Sequence, residues 1–172
     1  MTVAAAPMPA GDEQPAVLRL WDRRAAFAPF AVAGSFSVVA GGLLAAAIAA
    51  PAPTRHGVWA AAYLVLVLGV GQVVLAAGQL VLAAEPPSTR AVAVTAALFN
   101  GGNVAVLIGV ITGHIVVFDA GSVLLLVALL LFGYQVRRAA RRGWALHLYR
   151  LFIATLAVSI PIGLLITSAA AG

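Results

Sequence analysis

Residues 119–142 read DAGSVLLLVALLLFGYQVRRAARR. Its middle, residues 123–131, is unbroken valine, leucine and alanine, and four arginines follow within the last six positions. A helix needs about 20 apolar residues to cross the hydrocarbon core of a bilayer, whereas a strand of a membrane barrel alternates apolar and polar residues. The stretch therefore predicts a membrane-spanning helix with positive charge at its C-terminal end.

Four further stretches have the same length and character, in a chain of 172 residues that is 63% hydrophobic and 9% charged. We predict five spans, at residues 27–50, 57–84, 90–112, 119–138 and 146–168. Backbone groups inside hydrocarbon must be satisfied within their own segment, so all five are helices. The predicted fold class is an all-α, polytopic transmembrane helical bundle.

The five spans form one membrane domain, residues 27–168, with short segments on either side. The prolines, glycine and small residues of 1–15 predict a disordered N-terminal tail. Residues 16–26 mix leucines and Trp21 with arginines, which predicts an interfacial amphipathic lead-in. Residues 169–172 form a C-terminal tail.

The arginines predict the orientation of the bundle. All ten basic residues are arginine, and only Arg55 falls on the side opposite to the other nine. Since cytoplasmic connectors carry the excess of basic residues, the N-terminus lies in the cytoplasm and the C-terminus outside. Topology thus accounts for the net charge of +5, and no nucleic-acid partner is predicted. Arginine without lysine, beside so much alanine and glycine, is typical of a GC-rich bacterial genome, so we predict a multi-pass protein of the bacterial plasma membrane.

Four amide side chains lie inside the predicted spans. Gln72 and Gln79 are seven residues apart on one face of span two, and Asn100 and Asn103 are three apart on one face of span three. Gln72 and Asn103 each lie about 20 Å from the cytoplasmic ends of their spans. We predict a polar intramembrane layer that joins spans two and three through hydrogen bonds of about 0.6 kcal/mol each. The alternative is a quinone or small-solute site.

Small residues recur at helical spacing in spans one to three, which favours close approach to other helices, to protein partners or to a second copy of the chain. The sequence Asn100-Gly101-Gly102-Asn103 places two glycines at mid-membrane. We predict a tight crossing against span one or two. The alternative is a local unwinding that exposes carbonyl groups to an ion.

Histidines and arginines at the ends of the spans are the remaining candidates. His56 and His114 fall on the predicted outer side, where they are candidate ligands of a haem or a metal; a solvated imidazole is the alternative for His56. The stretch 147–150 predicts an anchor at headgroup level. The connector arginines set topology and also suit contact with anionic lipid or an acidic partner. These arginines are Arg137, Arg138, Arg141 and Arg142.

Catalytic motifs are missing from the sequence. There is no cysteine, no nucleophile elbow and no His-Glu-x-x-His sequence. Glu85 is predicted at the inner edge of the membrane and Asp119 at the outer edge, with no acidic group at the depths between them. Proton pumping by this chain alone is therefore disfavoured. No catalytic residue is predicted.

We therefore predict a non-enzymatic integral membrane subunit or accessory protein of a larger bacterial plasma-membrane complex, in contact with lipid and with protein partners. Two alternatives stay open. One is a small haem- or quinone-associated redox protein. The other is a small-solute transporter or channel that acts as an oligomer, with the amide layer along its path.

Overall fold

The computed structural model describes residues 15–49, 54–139 and 143–171, with side chains up to residue 162. These residues form six helices. Their bounds are α1 (Ala16–Asp22), α2 (Arg24–Ile48), α3 (Arg55–Leu82), α4 (Thr89–Thr112), α5 (Ile115–Gln135) and α6 (Trp144–Ala171). The predicted disordered tail lies outside the described residues except for Pro15.

Five of the six helices, α2 to α6, are long and apolar enough to cross a membrane. The predicted five-span, all-α bundle is therefore confirmed, and the helices fit a multi-pass membrane protein. We call the end of the bundle where α2, α4 and α6 begin the basic end, because it carries most of the arginines. The opposite end, where α3 and α5 begin, we call the Arg55 end.

The turn between α4 and α5 is tighter than the sequence suggested. Gly113 ends α4 in the left-handed conformation, with φ of 71°, and only His114 separates it from the first residue of α5. Glycine adopts this conformation without steric cost, so the second helix begins at once. Asp119, which the sequence placed at the start of span four, lies in the second turn of α5 and is exposed.

Glycines set the closest approach of two helices, between α4 and α5. A Cβ added at Gly102 would lie 2.9 Å from the Gly121 carbonyl oxygen, and one at Gly121 would lie 2.7 Å from that of Gly102. Helix α4 is regular throughout, so Gly102 marks a crossing and not an unwinding. The predicted partner, span one or two, was wrong: the short turn at Gly113 makes α5 the antiparallel neighbour.

A second glycine contact joins α2 to α3. A Cβ at Gly34 would lie 3.0 Å from the Gly69 carbonyl oxygen, and one at Gly41 would lie 3.0 Å from that of Ala61. Glycine and alanine at these positions permit this approach. The small-residue faces of α2, α3 and α4 are thus occupied by helices of the same chain.

Side chains fill the space between these contacts. Phe132 of α5 packs against Phe30 of α2 and Phe99 of α4, with ring centroids 5.5 and 6.1 Å apart. Tyr149 of α6 donates its hydroxyl hydrogen to the Leu75 carbonyl oxygen at 2.9 Å. Tyr149 is therefore buried, and the prediction that it anchors at headgroup level was wrong.

Arg23 closes the bundle at the basic end. Its guanidinium donates to the carbonyl oxygens of Leu80 at 2.5 Å and Ala83 at 3.0 Å, at the C-terminal end of α3. A cation is favourable there because the helix dipole is negative at its C-terminus. Burial lowers the pKa of Arg23, and the charge of Arg19 lowers it further, but a guanidinium stays charged at neutral pH.

Candidate functional site

The predicted amide layer forms two hydrogen-bonded levels between α3 and α4. Asn100 Nδ2 donates to Gln72 Oε1 at 3.2 Å. Nearer the Arg55 end, the Tyr63 hydroxyl donates to Asn103 Oδ1 at 2.7 Å. Gln72 and Asn103 are completely buried, so each pair satisfies polar groups that would otherwise be costly in an apolar core.

A third level lies toward the basic end and includes two residues that the sequence did not single out. Gln79 Nε2 donates to Gln135 Oε1 of α5, and Gln135 Nε2 donates to Thr95 Oγ1 of α4 at 3.0 Å. Gln79 thus joins a three-helix cluster and does not contact Asn100 or Asn103 through these bonds. Gln135 was overlooked because it lies near the end of its span, where polar residues are ordinary.

A π-helical segment brings Tyr63 and Gln72, one from each of the first two levels, to the same side of α3. Residues Leu64–Gly71 are π-helical. Gln72 comes nine positions after Tyr63, which is two and a half turns of α-helix. The two side chains would therefore point in opposite directions from a regular helix. The i→i+5 pattern holds more residues in each turn, and both side chains face α4.

Beside the Tyr63–Asn103 pair lies a pocket of about 560 Å³, which we call the Arg55-end pocket. Four helices contribute to it. Its lining consists of Arg55, His56, Trp59 and Tyr63 from α3, Val106 and Val110 from α4, Phe118, Ser122 and Leu125 from α5, and Ser159 and Ile160 from α6. Eight residues of α-helix separate Arg55 from Tyr63, so the pocket extends about 12 Å along α3.

The polar groups of the Arg55-end pocket are unevenly distributed. Arg55 and His56 are exposed and bring hydrogen-bond donors to its rim. Deeper inside, the Tyr63 hydroxyl already donates its hydrogen to Asn103. Ser159, which is exposed, donates its hydroxyl hydrogen to the Leu156 carbonyl oxygen. Their oxygens are left as acceptors, and the rest of the wall is mainly apolar or aromatic.

The two histidines predicted as haem or metal ligands occupy different surroundings. His56 lines the Arg55-end pocket, and His114 does not. The ring of His114 is exposed, with Nδ1 3.1 Å from the Thr112 carbonyl oxygen. Among the residues described, no three histidine, aspartate or glutamate side chains gather to hold a metal ion. The pocket therefore contains one candidate axial ligand, His56.

The connector arginines are divided between described and undescribed parts of the chain. Arg137 and Arg138 follow α5 and line a pocket of about 360 Å³ at the basic end. His147 and Arg150, from the first two turns of α6, line the same pocket. The other two predicted contact residues, Arg141 and Arg142, lie outside the described residues.

Comparison with known proteins gives no relative. No protein-family model, no curated protein and no solved structure matches this chain. Fold alone does not determine function, so the function has to be argued from the residues of the pockets themselves.

Proposed function

We propose that this chain is a non-enzymatic membrane protein that binds one small lipophilic molecule in the Arg55-end pocket, as an accessory subunit of a larger bacterial plasma-membrane complex. The observation that carries the proposal is the pocket of about 560 Å³ among four helices. Sites for small molecules have volumes of about 300–1,000 Å³, mostly apolar walls and a few placed polar groups.

The distribution of donors supports a particular ligand class. Donors at the rim, from Arg55 and His56, suit a carbonyl or carboxylate oxygen of the ligand. The stacked rings of Trp59 and Tyr63, with centroids 5.0 Å apart, and Phe118 suit a flat or apolar body. Quinones have this chemistry.

The quinone alternative therefore moves from the amide layer to the Arg55-end pocket. Gln72 and Asn103 are completely buried and already paired. Their hydrogen bonds hold α3 and α4 together. The nearby π-helical segment also supports a binding role, because such segments are frequent at functional sites.

The accessory role is supported by the surface of α2. Its small-residue face is used against α3, while a stripe on its other side is apolar and exposed: Val32, Phe36, Val39 and Leu43. These residues recur at helical spacing, as in a face that packs on lipid or on another helix. A partner subunit would contact this stripe and not Gly34 or Gly41, which pack against α3.

Native mass spectrometry of the full chain, released from its host membrane in mild detergent, tests both parts of the proposal. We expect a bound small molecule and defined partner chains. Val110→Trp should fill the pocket and remove the small molecule, whereas Val104→Trp, on an exposed face of the same helix, should keep it.

Two results would contradict the proposal separately. Retention of the same small molecule by Val110→Trp would exclude the Arg55-end pocket as its site. A chain that leaves its native membrane without any partner would exclude the accessory role and leave the binding role in place.

A further inference from the structure

The pocket at the basic end brings basic residues from two helix ends into one small volume. Arg137 and Arg138 come from the connector after α5, and His147 and Arg150 come from the start of α6. The pocket measures about 360 Å³, and none of its described lining residues is acidic. Three arginines line this one pocket, so their like charges disfavour one another, and an anion between them would replace that repulsion by attraction.

The connector backbone and the Arg137 side chain of this pocket are held in place. The backbone N–H of Ala84, after α3, donates to the Arg138 carbonyl oxygen at 3.1 Å, which ties the connector to the end of another helix. The guanidinium carbon of Arg137 lies 3.4 Å from the centroid of the Tyr134 ring. Groups that are positioned before a ligand arrives lose less entropy when they bind it.

The start of α6 adds to the same field. This helix begins at Trp144, and His147 lies in its first turn, with Nδ1 3.0 Å from the Gly143 carbonyl oxygen. The N-terminus of a helix carries a partial positive charge that favours anions. The dipole and the side-chain charges therefore act in the same direction.

We propose that this pocket binds the phosphate group of a molecule that carries net negative charge. Guanidinium groups match phosphate oxygens with paired hydrogen bonds, and three arginines line the site. The pocket lies where the apolar helices end, which is the depth of lipid headgroups, and basic pockets between spanning helices bind anionic headgroups. The phosphate belongs either to an anionic lipid or to a soluble molecule, and the two sources share the same chemistry at the arginines.

Calorimetric titration of the full chain in mild detergent tests the proposal with three probes: short-chain phosphatidylglycerol, short-chain phosphatidylcholine and inorganic phosphate. We expect phosphatidylglycerol or inorganic phosphate to bind at least tenfold more tightly than phosphatidylcholine. The double variant Arg138→Gln/Arg150→Gln should weaken that binding about 25-fold, from about fivefold for each arginine removed.

The control variant is Arg90→Gln, which removes one arginine charge at the basic end from a residue outside the pocket lining. It should change the affinity less than twofold. The charge-preserving variant Arg138→Lys/Arg150→Lys should keep most of the binding, which separates loss of charge from loss of folding.

The probes distinguish the two sources of the phosphate. Preference for phosphatidylglycerol without binding of inorganic phosphate assigns a lipid headgroup, and competition by inorganic phosphate assigns a soluble one. Equal affinity for the two lipids with no binding of inorganic phosphate would overturn the proposal. An equal loss of binding in Arg90→Gln would overturn it as well, because it would reduce the effect to general surface charge.

Discussion

Alanine at Gly102 should destabilise the bundle, whereas alanine at its neighbour Gly101 should not. A Cβ at Gly102 would lie 2.9 Å from the Gly121 carbonyl oxygen and 2.9 Å from the Leu125 amide nitrogen. Both are backbone atoms of α5, so the two helices would have to move apart. A Cβ at Gly101 meets nothing within 4 Å.

The difference between the two variants gives the magnitude. Replacement of glycine by alanine favours a helix by about 1 kcal/mol at either position, and this gain cancels in the comparison. What remains is the cost of overpacking at Gly102, which is typically about 1–3 kcal/mol. We therefore expect Gly102→Ala to be less stable than Gly101→Ala by about that amount.

Unfolding by sodium dodecyl sulfate in mild-detergent micelles, followed by far-ultraviolet circular dichroism, measures this difference. Wild type and both variants are compared at one protein concentration and one detergent composition. Equal unfolding curves for Gly101→Ala and Gly102→Ala would refute the reasoning, since α4 and α5 would then not meet backbone to backbone.

Two further predictions concern polar contacts and use the same unfolding assay. Asn103→Leu should lower the free energy of unfolding by about 1 kcal/mol because it leaves the Tyr63 hydroxyl without its acceptor. The loss should be smaller in a Tyr63→Phe background. Strictly additive losses would show that the two side chains do not interact. Arg23→Gln should destabilise the bundle by about 1 kcal/mol, because the hydrogen bonds to the carbonyl groups at the end of α3 are lost. Arg24→Gln should stay within about 0.5 kcal/mol of wild type, because the Arg24 guanidinium hydrogen-bonds an exposed neighbouring carbonyl group. Comparable losses at the two arginines would argue against the closing role of Arg23.

Local composition was sufficient to predict the five spans, because the ability to cross a bilayer depends on the length and polarity of each segment alone. The order of contacts inside the bundle was harder to predict. The position of Gly102 on its helix indicates a close approach, but it does not name the partner. That depends on the turn at Gly113, where a single glycine conformation folds α5 back onto α4.

The candidate site was predicted only in part. The amides were visible as polar residues in apolar spans, but the pairing of Asn103 with Tyr63 was not, since Tyr63 and Gln72 are out of phase in a regular helix. The Arg55-end pocket carried no sequence signal, because its wall comes from four helices that contribute two to four side chains each. Isolated residues such as Ser122 and Ser159 form a motif only after folding.

The π-helical segment Leu64–Gly71 divides α3 into one half that ends at Tyr63 and another that begins at Gln72. The rotation of one half relative to the other is set by the number of residues between them. Because an i→i+5 turn holds more residues than an α-helical turn, deletion of one residue there would turn the Tyr63 half relative to the Gln72 half by somewhat less than the roughly 100° per residue of an α-helix. Trp59 and His56 would leave the pocket wall with it, although no pocket residue had been replaced. The shape of the Arg55-end pocket is therefore encoded partly in the length of an apolar segment that supplies none of its described lining residues.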